Sequence, residues 1–464
     1  MLNFSQQKSN SKRLNRNFFL LKIIIDFLNK TFADSYESSQ TSTTTTITTI
    51  SANQEENSNN DIIIVDKSYI KKSMNSFKEV YLIESNIQSL NSNSFHGMLN
   101  LRKLNLVLNH LKHVDNRTFY NLKSLEYLSL DANLIAKVDK KLLSHLESLI
   151  FFSLSKNRLE YVEQGSFARL KHLQTLNLEN NLLKNLDNNF FAGLISLKSL
   201  NLGRNQISHL SPEAFNNLEC LEELNLESNQ LKKLNAFVFK GLTNLKQLNL
   251  SDNQIAKLDV NSFCFLKNLR RLNLNSNKLK YLIDLQQNLE NSSSSSNNNI
   301  NISNKNSYLE DNRRQLSLAD NKDQQTSNLF SATENLQFLD LSFNQIESLN
   351  ENCFKSLKHL EYLNLNSNRI ETIKSTLFEN TFNLKELNLM KNNLSKIANG
   401  TFRNLNKLEK LDLSNNLLRS IKSACFYGLA NLKCLRLQNN QIDLVDRKFI
   451  SLSFMFKNNI LIKF

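Results

Sequence analysis

The side chains with most to offer a reaction in this 464-residue chain are seven histidines and five cysteines. General acid–base catalysis needs a histidine held beside a nucleophile or carboxylate, and a zinc site needs closely spaced cysteine or histidine pairs. His96, His110, His113, His145, His172, His209 and His359 form no recognisable motif with a serine or cysteine. Cys220, Cys264, Cys353, Cys425 and Cys434 are scattered and odd in number, with no CxxC or CxC among them. Cys353 and Cys425 share one repeat position but lie three coils apart, roughly 14 Å at sheet spacing, too far for a disulfide. Phosphate-cradling glycine motifs and HExxH do not occur. The chain therefore reads as a protein without catalytic, cofactor or metal site, and its chemistry is that of binding.

Recognition groups, by contrast, recur at a fixed interval. From Leu101 the chain runs LRKLNLVLNHLKHVDNRTFYNLKS and restarts at Leu125 with LEYLSLDANLIAKV, a period of 24. Units begin at Phe77, Leu101, Leu125, Leu149, Leu173, Leu197, Leu221, Leu245 and Leu269, and again at Leu336, Leu360, Leu384, Leu408 and Leu432. The consensus is LxxLxLxxNxLxxLxxxxFxxLxx. This motif is similar to the leucine-rich-repeat superfamily in its 24-residue, phenylalanine-containing class, as in extracellular members of the Toll-like receptor, Slit and matrix-proteoglycan type. The resemblance covers residues 77 to about 450 apart from one interruption, and cysteine-rich caps are missing. It implies an α/β solenoid: a curved horseshoe with a parallel sheet on the concave face and short helical or irregular segments on the convex face.

The repeat can also be read from physical chemistry. LxxLxL is too short for a helix, and its alternating end suits a short parallel strand. Positions 1, 4, 6, 11, 14, 19 and 22 are mostly apolar, and one unit cannot bury them alone, so units must stack. Position 9 is Asn109, Asn133, Asn157, Asn181, Asn205, Asn229, Asn253, Asn277, Asn344, Asn368, Asn392, Asn416 or Asn440, with Ser85 in the first unit. A buried amide must be hydrogen-bonded, so these asparagines are expected to bridge turn backbone groups of neighbouring coils as a structural ladder. Phe95, Phe119, Phe167, Phe191, Phe215, Phe239, Phe263, Phe354, Phe378, Phe402 and Phe426 hold position 19 and are expected to form an apolar spine.

Binding is left to the variable positions 2, 3, 5, 7 and 8, which would tile the concave sheet. Position 3 sets Tyr127 beside Phe151 and Phe338 beside Tyr362, aromatic anchors of the kind interfaces use. Arg102, Arg204, Arg270, Arg271 and Arg436 add forked donors. Position 5 is mostly asparagine, a neutral strip that suits a protein or glycan ligand better than nucleic acid. The net charge of +14 is read as lysines spread over the turns for solubility, since they form no single block. Oligomeric state is not legible.

Flanking composition sets the remaining boundaries. Residues 1–33 carry four early basic residues and then FFLLKIIIDFL, which reads as a signal peptide cleaved near Ala33 or as an amphipathic leader, since Lys22 and Asp26 interrupt the run. Residues 34–60 are Ser/Thr/Asn-rich and expected to be disordered. Residues 61–284 hold a capping strand at Ile62–Val65 and units 1–9. Residues 285–332 form a low-complexity loop: Leu336 follows Leu269 by 67 residues, one period plus 43. Leu329 and Phe330 are expected to supply the interrupted unit's apolar end. Residues 333–464 hold units 10–14 and a terminal stretch, Phe454 to Phe464, expected to fold over the last coil. No apolar run of transmembrane length follows, which reads as a complete soluble protein or the front of a longer receptor. Sequons at Asn116, Asn249, Asn291, Asn301, Asn393 and Asn399 are about as frequent as chance gives in so asparagine-rich a chain. The leader and repeat class point to an extracellular or cell-surface protein. The missing caps and unpaired cysteines point to an intracellular scaffold.

Overall fold

The computed structural model describes residues 77–90, 92, 94–282, 328–446 and 461–463. The expectations for 1–33, 34–60, Ile62–Val65, most of 285–332 and the stretch after 446 fall outside these residues, apart from one terminal strand. The chain is a parallel-sheet solenoid divided into two compact units, Met1–Leu183 with Phe191–Leu197, and Lys184–Phe190 with Lys198–Phe464. In the first unit, strands β1 (Glu79–Tyr81), β2 (Lys103–Asn105), β3 (Tyr127–Ser129), β4 (Phe151–Ser153) and β5 (Thr175–Asn177) pair in parallel.

The second unit repeats this with β6 (Ser199–Asn201), β7 (Glu223–Asn225), β8 (Gln247–Asn249), β9 (Arg271–Asn273), β10 (Phe338–Asp340), β11 (Tyr362–Asn364), β12 (Glu386–Asn388), β13 (Lys410–Asp412), β14 (Cys434–Arg436) and β15 (Leu461–Lys463). Each strand of this sheet is three residues long, and two-residue strands such as Lys233–Leu234 and Lys257–Leu258 pair in parallel beyond it. Position 4 points inward and positions 3 and 5 outward. Away from the sheet the coils close by turns; among the described residues the one helical segment is the 3-10 turn Ser423–Phe426.

The core follows the seven apolar positions. In one coil these are Leu245, Leu248, Leu250, Ile255, Leu258, Phe263 and Leu266, all buried. Burial of each contributes roughly 1.5–3 kcal/mol, largely offset by the entropy of ordering the chain. The phenylalanines stack: in the second unit consecutive rings from Phe215 through Phe239, Phe263, Phe330, Phe354, Phe378 and Phe402 to Phe426 lie with centroids 6.1 to 6.4 Å apart. Phe330 occupies the place between Phe263 and Phe354, and β9 pairs directly with β10, so the repeat resumes in phase after the interruption. Within this unit the ring spacing exceeds the roughly 4.8 Å between strands, so each coil is wider at the back than at the sheet.

The turn after each strand is held by the asparagines. Asn253 Nδ2 donates to the carbonyls of Leu226, Leu250 and Ser251 at 2.9, 3.2 and 3.1 Å, and its Oδ1 accepts from Leu231 N–H at 3.0 Å. The side chain thereby joins two coils with no polar atom left over. Asn109, Asn133, Asn157 and Asn181 in the first unit bridge in the same way, each to a leucine carbonyl of its own coil and of the one before. So do Asn229, Asn277, Asn344 and Asn368 in the second, and Asn392, Asn416 and Asn440. Asn205 donates to Leu202 and Gly203 within its own coil.

Position 8 holds a feature the sequence does not announce. Glu84, Leu108, Ala132, Lys156, Asn180, Arg204, Ser228, Asp252, Ser276, Phe343, Ser367, Lys391, Asn415 and Asn439 all take φ between 51° and 58°, the left-handed region. That conformation costs an L-residue roughly 1–2 kcal/mol, yet none is glycine. It persists because the position-8 N–H donates to the next coil, as Ser228 does to the Ser251 carbonyl at 3.0 Å.

Two outcomes follow. Asn253→Ala strands a buried N–H and three carbonyls and should lower the unfolding free energy by roughly 1–3 kcal/mol, read by urea denaturation. Leu108→Asn places a residue tolerant of positive φ at an exposed left-handed site and should raise stability by about 0.5–1 kcal/mol, read as a higher midpoint in the same titration.

Candidate recognition surface

In-register parallel pairing sets each side chain above its counterpart in the next coil, roughly 4.8 Å away. Like positions therefore form rows, and neighbours in a row must be compatible. Much of the sheet's outer face meets this by alternating charge. At position 2, Arg102 pairs with Glu126, Glu222 with Lys246, Glu361 with Lys385 and Glu409 with Lys433, at 2.7 to 3.2 Å. At position 3, Lys103 pairs with Glu79 and Lys410 with Glu386. At position 5, Arg436 pairs with Asp412 at 3.1 Å, a contact that pushes the guanidinium pKa further up. Exposed pairs of this kind add little to stability, because water and salt screen them. Their larger effect is to discharge the face.

Flat groups solve the same packing problem by stacking. In the first unit Tyr127 and Phe151 lie with ring centroids 4.5 Å apart and planes within 4°. In the second, Phe338 and Tyr362 stack at 4.5 Å and 2°. Arg271 continues that row, its guanidinium 4.2 Å from the Phe338 centroid. Burial raises the Tyr362 hydroxyl pKa, and the nearby Asp340 and Glu386 carboxylates raise it further. The phenol therefore stays a neutral donor. Among the described residues neither Arg270 nor Arg271 forms an ion pair. Beside the Arg271–Phe338 stack a groove of about 390 Å³ runs back across β9, β8, β7 and β6, lined by Glu223, Gln247, Asn225, Asn249 and Asn273 among others.

The residues singled out in the sequence thus divide. Tyr127 and Phe151 meet in one stack, and Arg271, Phe338 and Tyr362 meet in another, with Arg270 immediately before the strand that Arg271 begins. Arg102 and Arg436 are occupied by carboxylates. Arg204 sits exposed on the left-handed turn after its strand rather than on the strand itself.

Position 5 is more than a surface strip. The side-chain oxygens of Asn105, Asn177, Asn201, Asn225, Asn249 and Asn273 accept the N–H two residues on, at 3.0 or 3.1 Å, and those of Asp340, Asn364, Asn388 and Asp412 do so at 2.9 to 3.1 Å. This turn-forming use of Asx leaves the NH2 half of each amide for neighbours, as in Asn225 to Asn201 at 3.0 Å. Where position 5 is Ser153, the Asp131 carboxylate takes over, accepting from Ser153 Oγ and from Ser155 N–H. Burial pushes the Asp131 carboxyl pKa up, against these hydrogen bonds. The recurrence of Asn at position 5 was the available signal for this second role.

The five cysteines are all free. Cys220 is exposed, Cys264 and Cys434 are half-buried, and Cys353 and Cys425 are buried. Burial drives the Cys353 thiol pKa strongly upward and that of Cys264 to about 11. Among the described residues no group of three or more His, Cys, Asp or Glu side chains is arranged to hold a metal ion, and no helix is long and apolar enough to cross a membrane.

Comparison with known proteins agrees with this geometry. The leucine rich repeat family model matches residues 171–231, 221–279, 312–380 and 382–442, and the BspA type leucine rich repeat region matches 64–198. No curated protein matches the sequence. Among solved structures, Drosophila Toll in its complex with Spatzle is similar at 23% identity and a TM-score of 0.67, covering 82% of this chain and 46% of that one. TLR13 in complex with ssRNA13 gives 23% and 0.50 over 84% of this chain and 62% of the other. The Listeria monocytogenes internalin inlF gives 20% and 0.51 over 83% and 90%. The chain thus spans about half the length of Toll and less than two thirds of TLR13. By its 24-residue coils, its asparagine-held turns and the family matches over most of its length, the chain belongs to the leucine-rich-repeat family.

Proposed function

We propose that the chain is a non-enzymatic recognition module that takes a protein partner on the outer face of its sheet, outside the cell or at its surface. The observation that carries this reading is the Arg271–Phe338–Tyr362 stack: two half-buried rings and a guanidinium on a rigid sheet, beside a polar groove. Aromatic and arginine side chains dominate interface energetics because they bury large area at little entropic cost. The Tyr127–Phe151 stack offers a second anchor of the same kind. Elsewhere the lysines and arginines of the face are largely matched by carboxylates, which favours a protein partner over a polyanion such as nucleic acid. Toll's complex with Spatzle is a precedent for a protein ligand on a related fold.

One observation favours a second reading, an intracellular scaffold. Five cysteines without a disulfide suit a reducing compartment.

Expression in a secretory cell separates the two. Cleavage near Ala33 with an endoglycosidase-sensitive mass supports the extracellular reading, whereas an uncleaved, unglycosylated cytosolic product establishes the scaffold. Thiol labelling of the native chain at pH 8 should modify Cys220 first and Cys353 only after denaturation, because the buried thiol neither ionises nor meets reagent; rapid labelling of Cys353 contradicts the buried placement. For binding, Phe338→Ala and Tyr362→Ala should each weaken capture of a partner selected from a displayed protein-domain library by tenfold or more with no fall in melting temperature. Unchanged capture in both variants removes this patch as the binding site.

A further inference from the structure

The outer face of the second unit carries many of its charges in cancelling pairs, and two of the exceptions, Glu223 and Arg271, lie in one row. Glu223, Gln247 and Arg271 are consecutive members of the position-3 row, paired residue for residue through β7, β8 and β9. Gln247 Nε2 donates to Glu223 Oε1 at 2.9 Å, a neutral partner that leaves the carboxylate its charge. Among the described residues Glu223 forms no ion pair, and neither does Arg271. One position away, Glu222 and Lys246 cancel at 2.7 Å and contribute no net charge to the groove. The groove of about 390 Å³ spans this row, with Glu223 toward one end and Arg271 beside Phe338 at the other. Two strand spacings separate the two charged positions, about 9–10 Å.

We propose that this groove binds an extended polypeptide segment of the partner, laid across the strands, with an acidic side chain on Arg271 and a basic side chain on Glu223. The inference rests on the recognition reading above and names the class of ligand for that site. The guanidinium carbon lies 4.2 Å from the Phe338 ring centroid, and among the described residues its forked N–H donors form no ion pair. A carboxylate is the group whose two oxygens match that fork. A phosphate or sulfate polyanion matches it less well, because Glu223 at the far end of the same groove repels a second negative charge. An extended segment repeats on one face every two residues, about 6.8 Å, and side-chain reach at both ends covers the remaining distance. Between the charges, Gln247, Asn249 and Asn225 already donate to Glu223, Glu227 and Asn201, and the second N–H of each amide remains for the segment's backbone carbonyls.

The probe is an array of acetylated, amidated hexapeptides with Lys, Glu or Ser at position 2, Asp, Lys or Ser at position 4 and Leu or Phe between. A heparin spot and a single-stranded RNA spot serve as polyanions. The full chain should be retained at least tenfold more strongly by Lys-x-Asp peptides than by Ser-x-Ser peptides. Arg271→Gln should erase that preference, and the double variant Glu223→Arg with Arg271→Glu should transfer it to peptides with acidic and basic positions exchanged. The preferences of Phe338→Ala separate the two readings. If charge exchange leaves peptide preference unaltered while Phe338→Ala still abolishes retention, the charge axis is wrong and the recognition surface stands. If Phe338→Ala has no effect either, both fail. Charge-independent retention by the unaltered chain, or stronger retention by heparin or RNA than by any peptide, overturns the inference. Circular dichroism of each variant identifies any that fails to fold. For a misfolded double variant, Arg271→Gln alone decides.

Discussion

The stack of coils depends on the position-9 amide that every coil after the first carries. The turn that follows each strand leaves backbone carbonyls and an N–H inside the stack, out of reach of water and of the sheet's own ladder. A primary amide on a short side chain has two donors and a carbonyl acceptor. Asn277 uses all of them, donating to the carbonyls of Leu250, Leu274 and Asn275 and accepting from Ile255 N–H. Aspartate at the same place would lack the donors, and alanine would lack everything. Because one of the carbonyls and the N–H belong to the preceding coil, the bond set fixes where one coil lies on the next. Register is therefore specified at the turn and inherited by the strand.

Register in turn decides what the face can be. Parallel strands without stagger put equivalent positions in rows, so a run of like charges at one position would repel at every step. The chain avoids this by opposing Lys and Glu in neighbouring coils, by stacking rings, or by linking amides. Each solution suppresses a different kind of ligand. Ion pairs present little net charge and resist desolvation, and amides already bonded to their own turns have half their capacity left. The rings at position 3 are the part of the surface whose burial by a partner would release the most water from apolar area. The chain's net positive charge is thus largely irrelevant to the centre of the face.

The fold was legible because it is periodic. Leucines at seven positions, one asparagine and one phenylalanine repeated through both units leave little freedom, and even Phe330, separated from its unit by the interruption, takes its place in the spine. The turn conformation at position 8 was not legible, and the reason is physical. Leu108, Lys156 and Phe343 have nothing in common except the hydrogen bonds made by their backbones, and those bonds override the side chain's own preference. The candidate site was partly legible. Neighbouring units place Phe338 beside Tyr362 by simple counting. Arg271 is 67 residues from Phe338 in the chain, and only the parallel pairing of their strands brings the guanidinium onto the ring.

The repeat resumes in phase across the interruption, and the described residues on either side show what restores it. Before the interruption the described residues end at Leu282, a buried position-14 residue, and they resume at Asn328, which is also buried. Several contacts restore the repeat where the described residues resume. Asn328 Oδ1 accepts from Phe330 N–H at 3.0 Å, which re-forms the turn, and Phe330 stacks between Phe263 and Phe354. The amide of Asn344 then closes the turn onto Leu274 and Leu279 as if the two coils were consecutive. The strands on either side of the interruption thus pair as neighbours, and the sheet between them is unbroken. The cation-on-ring contact at the centre of the candidate site is a direct consequence, since it is formed between the two strands that the insertion separates.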